Sequence, residues 1–195
     1  MAGIRTQARH ALTALALVLA SASVAAAAQD GGVQAQPSVE TVRLAARPAA
    51  LLRERAPWED VFEALRAATI TLEDGLAAGG LAAAGAPLVA FEDADDLTVG
   101  FSLHLPLARA PEPEEADAAI AAAPRLVFGA TPSGYALRTV HEGAYAAIGD
   151  TYEALTAHLD QEGLVVEDVY FEELLALAED AQAPGSRIAI LVVPE

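Results

Sequence analysis

The pattern that most restricts the fold of this chain occurs twice. A strand-like run, a helix-patterned run, a glycine stop and two further strand-like runs follow one another in each half, with Gly80-Leu81 and Gly163-Leu164 closing the helical runs. In the first half Trp58, Phe62, Leu65, Thr69, Leu72 and Leu76 recur at steps of three and four, which lines one face of an α-helix. In the second half Ile148, Tyr152, Leu155 and Leu159 keep the same rhythm. Phe91-Glu92 and Phe171-Glu172 then match in the strand after each helix, a repeat at about 80 residues judged from the order of elements. Two such units bury their helices against a common sheet. The order therefore predicts an α+β fold: duplicated strand–helix–strand–strand modules forming a curved antiparallel sheet with two helices on one face. The other sheet face and the cleft between modules are left for a ligand.

Individual segments fit this frame. Val39 to Arg55 reads as strand material, and Pro57 stands where a first helical position tolerates it. Gly79-Gly80 supplies a left-handed cap. Pro87 to Phe91 and Leu97 to Leu105 read as strands joined across the acidic turn Glu92–Asp96. In the second of them Val99, Phe101, Leu103 and Leu105 alternate with Gly100, Ser102 and His104, a half-buried pattern. Ala116 to Ala123, after the break at Pro111-Glu112-Pro113, is expected as a short helix or a crossing loop. Leu126 to Phe128, Tyr135 to Val140, Val165 to Glu173 and Ile188 to Val193 complete the strands, with Leu174 to Ala183 a candidate short helix. The domain is expected over 39–195, with pseudo-repeats at about 39–108 and 124–195.

Residues 1–28 carry the marks of a secretory signal peptide. Arg5, Arg9 and His10 precede the apolar run Ala11 to Ala20, and Ala26-Ala27-Ala28 offers a cleavage site before Gln29. The run is shorter than the ~20 residues of a spanning helix, and no cysteine follows it to take a lipid. Residues 29–38 read as a disordered linker. The expectation is a periplasmic or secreted protein with no membrane attachment after cleavage. Export permits disulfides, yet the chain has no cysteine, so packing alone must hold it together. The 11 basic residues, all arginine, face 28 acids, a net charge of −17. Loss of the two leader arginines takes this to −19. Such a surface repels nucleic-acid phosphates and anionic lipid heads, and no basic helix–turn–helix is present. The acidity fits solubility or salt adaptation as well as a preference for cationic ligands.

The stretch from Gly134 to Glu173 carries the candidate chemistry. It opens with Gly-Tyr-Ala-Leu-Arg-Thr-Val-His-Glu-Gly-Ala-Tyr, Gly134 to Tyr145, and ends in Val-Tyr-Phe-Glu-Glu, Val169 to Glu173. In order and spacing it resembles the GyrI-like ligand-binding domain, the effector-binding half of AraC- and MerR-type regulators. The resemblance is good over the last ~75 residues and continuous from about Val39. It implies the same duplicated fold with a ligand cleft at the pseudo-twofold junction, and a pocket-floor glutamate at Glu172 that pairs with cationic or polarised ligands. Tyr145, in His141-Glu142-Gly143-Ala144-Tyr145, matches the family's His-x-Gly-x-Tyr turn. Leu174 stands where the family's Glu-x-Tyr pattern has its tyrosine.

Glu172 and Glu173 are strand neighbours and point to opposite faces, so only one can face a given cleft. A carboxyl among aromatics has a raised pKa unless it is paired. Tyr145, Trp58, Phe101, Tyr152 and Tyr170 are candidate wall residues; Tyr145 reads equally as a clamp on the helix start, and aromatics at the spacing of the other four are more often plain core. His141 reads as a group that stabilises the turn. No cofactor is indicated, and metal binding has little support because His104, His141 and His158 are scattered. Ser102 and Ser133 lack an elbow motif and a neighbouring His–Asp set, which speaks against a serine hydrolase. The expected function is binding of a hydrophobic or cationic small organic ligand, favoured over catalysis. Two alternatives stay open: hydrolysis of strained electrophiles by a pocket glutamate, as some proteins of this resemblance perform, and docking to an envelope protein.

Overall fold

A computed structural model describes residues 38–194; the expected leader and nearly all of the linker lie outside the described residues. In chain order the elements are β1 (Glu40–Leu44), β2 (Pro48–Pro57), a 3-10 turn (Trp58–Asp60), α1 (Val61–Ala78), β3 (Leu88–Ala94), β4 (Thr98–Pro106) and α2 (Pro113–Ala122). Then come β5 (Val127–Ala130), β6 (Gly134–Gly143), a second 3-10 turn (Tyr145–Ala147), α3 (Ile148–Glu162), β7 (Val166–Ala176) and β8 (Ser186–Pro194). All eight strands pair antiparallel in one sheet, in the order β1-β6-β8-β7-β3-β4-β2-β5.

The sheet is two copies of one module joined at β3 and β7. A shift of 87 residues carries the pair Ala50↔Leu105 onto Leu137↔Val192, the turn at Trp58 onto that at Tyr145, and the start of α1 at Val61 onto the start of α3 at Ile148. In β3 the shift is 83, because Val89↔Leu103 falls on Glu172↔Ile190. Val89 and Glu172 are themselves paired across β3 and β7, so the pseudo-twofold axis passes between them. The duplication is therefore real, but its residue match differs from the one expected from sequence. Glu172 corresponds to Val89, and Phe91 to Leu174. Glu92, in the expected Phe-Glu match, is an exposed residue 3.6 Å from Arg53.

The stretch expected as one strand from Val39 is two, and they lie near opposite edges of the sheet. β1 adds to β6 of the second module, while β5 adds to β2 of the first. Only residues 45–47 separate β1 from β2, and only 131–133 separate β5 from β6. A link that short reaches about 14 Å at most, so the sheet must curve until its edges approach. The links cross there: Thr131 N donates to Arg47 O at 2.9 Å, and Arg47 N donates to the Thr131 hydroxyl at 3.1 Å.

The helices cover one face. Leu65, Leu72 and Leu76 of α1 and Leu155 and Leu159 of α3 are buried in one core with Val89, Phe101, Leu103, Ile188, Ile190 and Val192 of the sheet. On the opposite face Leu88, Phe171, Leu191 and Ala136 form a smaller apolar cluster. The Ala-rich segment after Pro111 is helical because Glu112 and Glu115 form a reciprocal capping box around Pro113. α2 packs on α1 where Gly79 leaves room; a Cβ there would lie 2.5 Å from Glu115 O. No helix forms after Leu174. β7 runs on to Ala176, since Leu174 N donates to Pro87 O at 2.9 Å and its side chain fills the main core.

Candidate functional site

Strand alternation decides which face Glu172 serves. Its cross-strand neighbours, Val89 and Ile190, belong to the core under the helices, so its carboxyl points at the helices and not into the opposite face of the sheet. Glu173, paired with Leu88, points the other way. An acid beside the pseudo-twofold axis, beneath two helices, has little contact with water, and Glu172 is 0% exposed.

Two tyrosines meet this buried carboxyl. Tyr152, in the first turns of α3, donates its phenol to Oε1 at 2.9 Å, and Tyr145, in the preceding 3-10 turn, donates to Oε2 at 3.2 Å. Burial is the main cause that lifts the Glu172 pKa, to about 7; the two phenol hydrogen bonds oppose it. Both phenols are pushed well above their ordinary value, by burial first and then by the adjacent carboxyl. Among the described residues no ion pair reaches Glu172. The carboxyl thus has hydrogen bonds on both oxygens and no countercharge.

Aromatic rings extend this centre. Tyr170 lies two residues before Glu172 on the same strand face, with its ring 6.1 Å from that of Tyr152. Phe62, from α1, lies 5.2 Å from Tyr145 at a tilt of 49°, and so joins the two modules. Sequence reasoning placed Phe62 only on a helix face; nothing in its spacing shows that the two helix starts meet.

The turn that presents Tyr145 has its own supports. His141 lies 2.9 Å from Ala144 O through Nε2 and 2.8 Å from the Thr151 hydroxyl through Nδ1. A carbonyl only accepts, so Nε2 carries the proton and Thr151 donates to Nδ1. Gly143 adopts φ 149°, a region costly for any side chain. His141 therefore pins the turn, as its sequence setting implies.

Of the six candidate residues, the structure brings Glu172, Tyr145, Tyr152 and Tyr170 together. Trp58 is buried in the turn before α1 and spends its Nε1 proton on Asp95 O at 2.8 Å. Phe101 is 1% exposed, paired with Phe91 and Glu54 within the sheet. The duplication shows a further asymmetry. The counterparts of Tyr145, Tyr152 and Glu172 in the first module are Trp58, Leu65 and Val89, so the polar trio exists in one half alone.

Two other places hold polar groups. Ser102 Oγ is 3.0 Å from His104 Nε2, a contact the sequence reading missed because residues two apart meet only once they share a strand face. His104 Nδ1 faces Ala130 O at 3.2 Å, so the third member is a carbonyl rather than an acid, and burial lowers the histidine's pKa. An open pocket of about 560 Å³ lies at the crossing of the links, lined by Arg43, Leu44, Ser133, Gly134 and Tyr135 among others.

No protein-family model matches the sequence, and no curated protein matches it. Solved structures do. The chain is similar to EcmrR in its complex with DNA, at 14% identity and a TM-score of 0.61, over 98% of this chain and 68% of that one. It is similar to a hydrolase of Listeria innocua encoded by lin2189, at 13% identity and a TM-score of 0.54, over 84% and 94% of the two chains. It is also similar to SAV2435 bound to tetraphenylphosphonium, at 12% identity and a TM-score of 0.51, over 81% and 94%. The fold is that of a GyrI-like effector-binding domain. In this GyrI-like fold the pseudo-twofold junction, where the sequence resemblance places the ligand cleft, holds Glu172 and its tyrosines.

Proposed function

We propose that this chain is an exported binder of hydrophobic organic cations, with Glu172 as the counter-charge. The observation that carries the reading is the carboxyl itself: buried, at the junction of the modules, held by two phenols and reached by no ion pair among the described residues. A soft cation with an apolar shell loses little solvation on entering such a place and supplies the missing charge. The rings of Tyr145, Tyr152, Tyr170 and Phe62 add cation–π and apolar contact. The structural likeness to a protein bound to tetraphenylphosphonium supports this choice of guest. The role in the cell would be sequestration, or signalling to an envelope protein.

Hydrolysis is the weaker reading. A general base needs a water within reach, and both oxygens of Glu172 are taken by phenols. Leu174 also replaces the tyrosine of the family pattern.

The reading is tested by titrating the chain with tetraphenylphosphonium and with tetraphenylborate, its anionic counterpart in shape, while following Trp58 fluorescence and melting temperature. The cation is expected to bind and stabilise, and the borate to do neither. Glu172→Gln should weaken the cation alone. Equal responses to both ions, or no response to either, would overturn the proposal.

A further inference from the structure

The closed state of this site raises the question of what neutralises Glu172 before a guest arrives. The groups around it give a short answer. On its own strand, Tyr170 lies two residues away on the same face. α3 and its leading turn contribute Tyr145 and Tyr152. Across β3 and β8 stand Val89 and Ile190. The buried face of α1 is apolar throughout, Val61 to Leu76, and its Arg66 sits 5.9 Å from the Phe62 ring. His141, on β6, is engaged by Thr151 and the Ala144 carbonyl. Among the described residues no ion pair reaches the carboxyl, and Tyr145, Tyr152 and Tyr170 are phenols.

A proton is then the remaining species that can cancel the charge. As a carboxylic acid, Glu172 would donate its O–H to one tyrosine oxygen and accept from the other phenol, so both short contacts persist. As a carboxylate it accepts from both. We propose that a guest cation enters this site in exchange for a proton leaving Glu172, so that binding is a cation–proton exchange gated by pH. This rests on the cation-binding reading above and adds the coupling to it. The exchange balances: one O–H bond of the carboxyl breaks, its proton passes to solvent, and the guest's positive charge takes its place. The raised pKa of Glu172, about 7, puts the exchange at neutral pH. An exported protein would then hold its guest in neutral surroundings and release it in acid.

The test is calorimetric titration of the intact chain with tetraphenylphosphonium, which has no proton of its own. Titrations in two buffers of different ionisation enthalpy, at pH 6 and pH 8.5, give the protons released. The expected result is close to one proton per cation at pH 6, none at pH 8.5, and affinity rising nearly tenfold per pH unit until it levels near pH 7. Glu172→Gln should bind weakly, with no proton release and no pH slope. Tyr152→Phe removes a donor to the carboxylate and should move the levelling point to higher pH, which keeps the test sharp even if the glutamine variant folds poorly. Binding that releases no proton at either pH would overturn the exchange and leave the binding reading standing. Proton release that survives in Glu172→Gln would overturn the assignment to this residue. A folded chain that binds nothing at either pH would overturn both.

Discussion

At the residue scale, the central fact is a carboxyl kept from water in the middle of a core. Its pKa rises from 4.5 to about 7 on folding. A raised carboxyl contributes stability that is fully present below 4.5 and lost as pH climbs through 7; the loss approaches roughly 3 kcal/mol. Denaturant melts at pH 5 and pH 8 should show the wild type losing stability at the higher pH, and Glu172→Gln losing much less. His104 acts in the opposite sense, because its lowered pKa gives stability above pH 6.5 that is lost in acid. The difference between the two proteins is therefore the informative readout, and identical slopes would contradict the burial of Glu172. Tyr152→Phe should cost about 1–3 kcal/mol, and more at pH 8 than at pH 5, since the phenol serves the charged form best.

At the scale of elements, the two long helices and their ends were legible in the sequence because local periodicity encodes them. The three- and four-residue steps through Trp58–Leu76 and Ile148–Leu159 match α1 and α3, and Gly163 takes the left-handed cap at φ 64°. Glu172 and Tyr145 were singled out by the family resemblance and its turn, whereas Tyr152 stood only among the candidate wall aromatics. Strand partners were not. Period two states which face a residue takes but never which strand lies beside it, so the crossing of β1 and β5 and the match of Glu172 to Val89 had no local signal. Phe62 escaped for the same reason: its contact with Tyr145 spans the two modules. The turn ahead of α3 gives a direct check. Gly143→Ala, at φ 149°, should cost about 1–2 kcal/mol and loosen the presentation of Tyr145. Gly79→Ala should cost stability by forcing α2 from α1 while leaving the Glu172 region unchanged, which thermal melts and Tyr-region NMR shifts would separate.

At the scale of the molecule, a near-symmetric shell encloses an asymmetric centre. Both modules share register, turns and helix starts, yet only the second places polar groups at the axis; the first fills the same positions with Trp58, Leu65 and Val89. Symmetry accounts for the fold, and its breaking marks the place where chemistry differs. One face of the sheet is packed by helices, the opposite face carries the Ser102–His104 contact, and the open pocket lies near Tyr135 at the crossing of the links. These offer other places for a guest, so the position of a bound cation separates them. The most direct measurement is a crystal structure of the chain with tetraphenylphosphonium. The cation is predicted beside the pseudo-twofold axis, against Glu172, with the Tyr145 ring turned away from the carboxyl and Phe62. A cation seated at the Arg43–Tyr135 pocket or on the opposite sheet face, with Glu172 still held by both phenols, would contradict it.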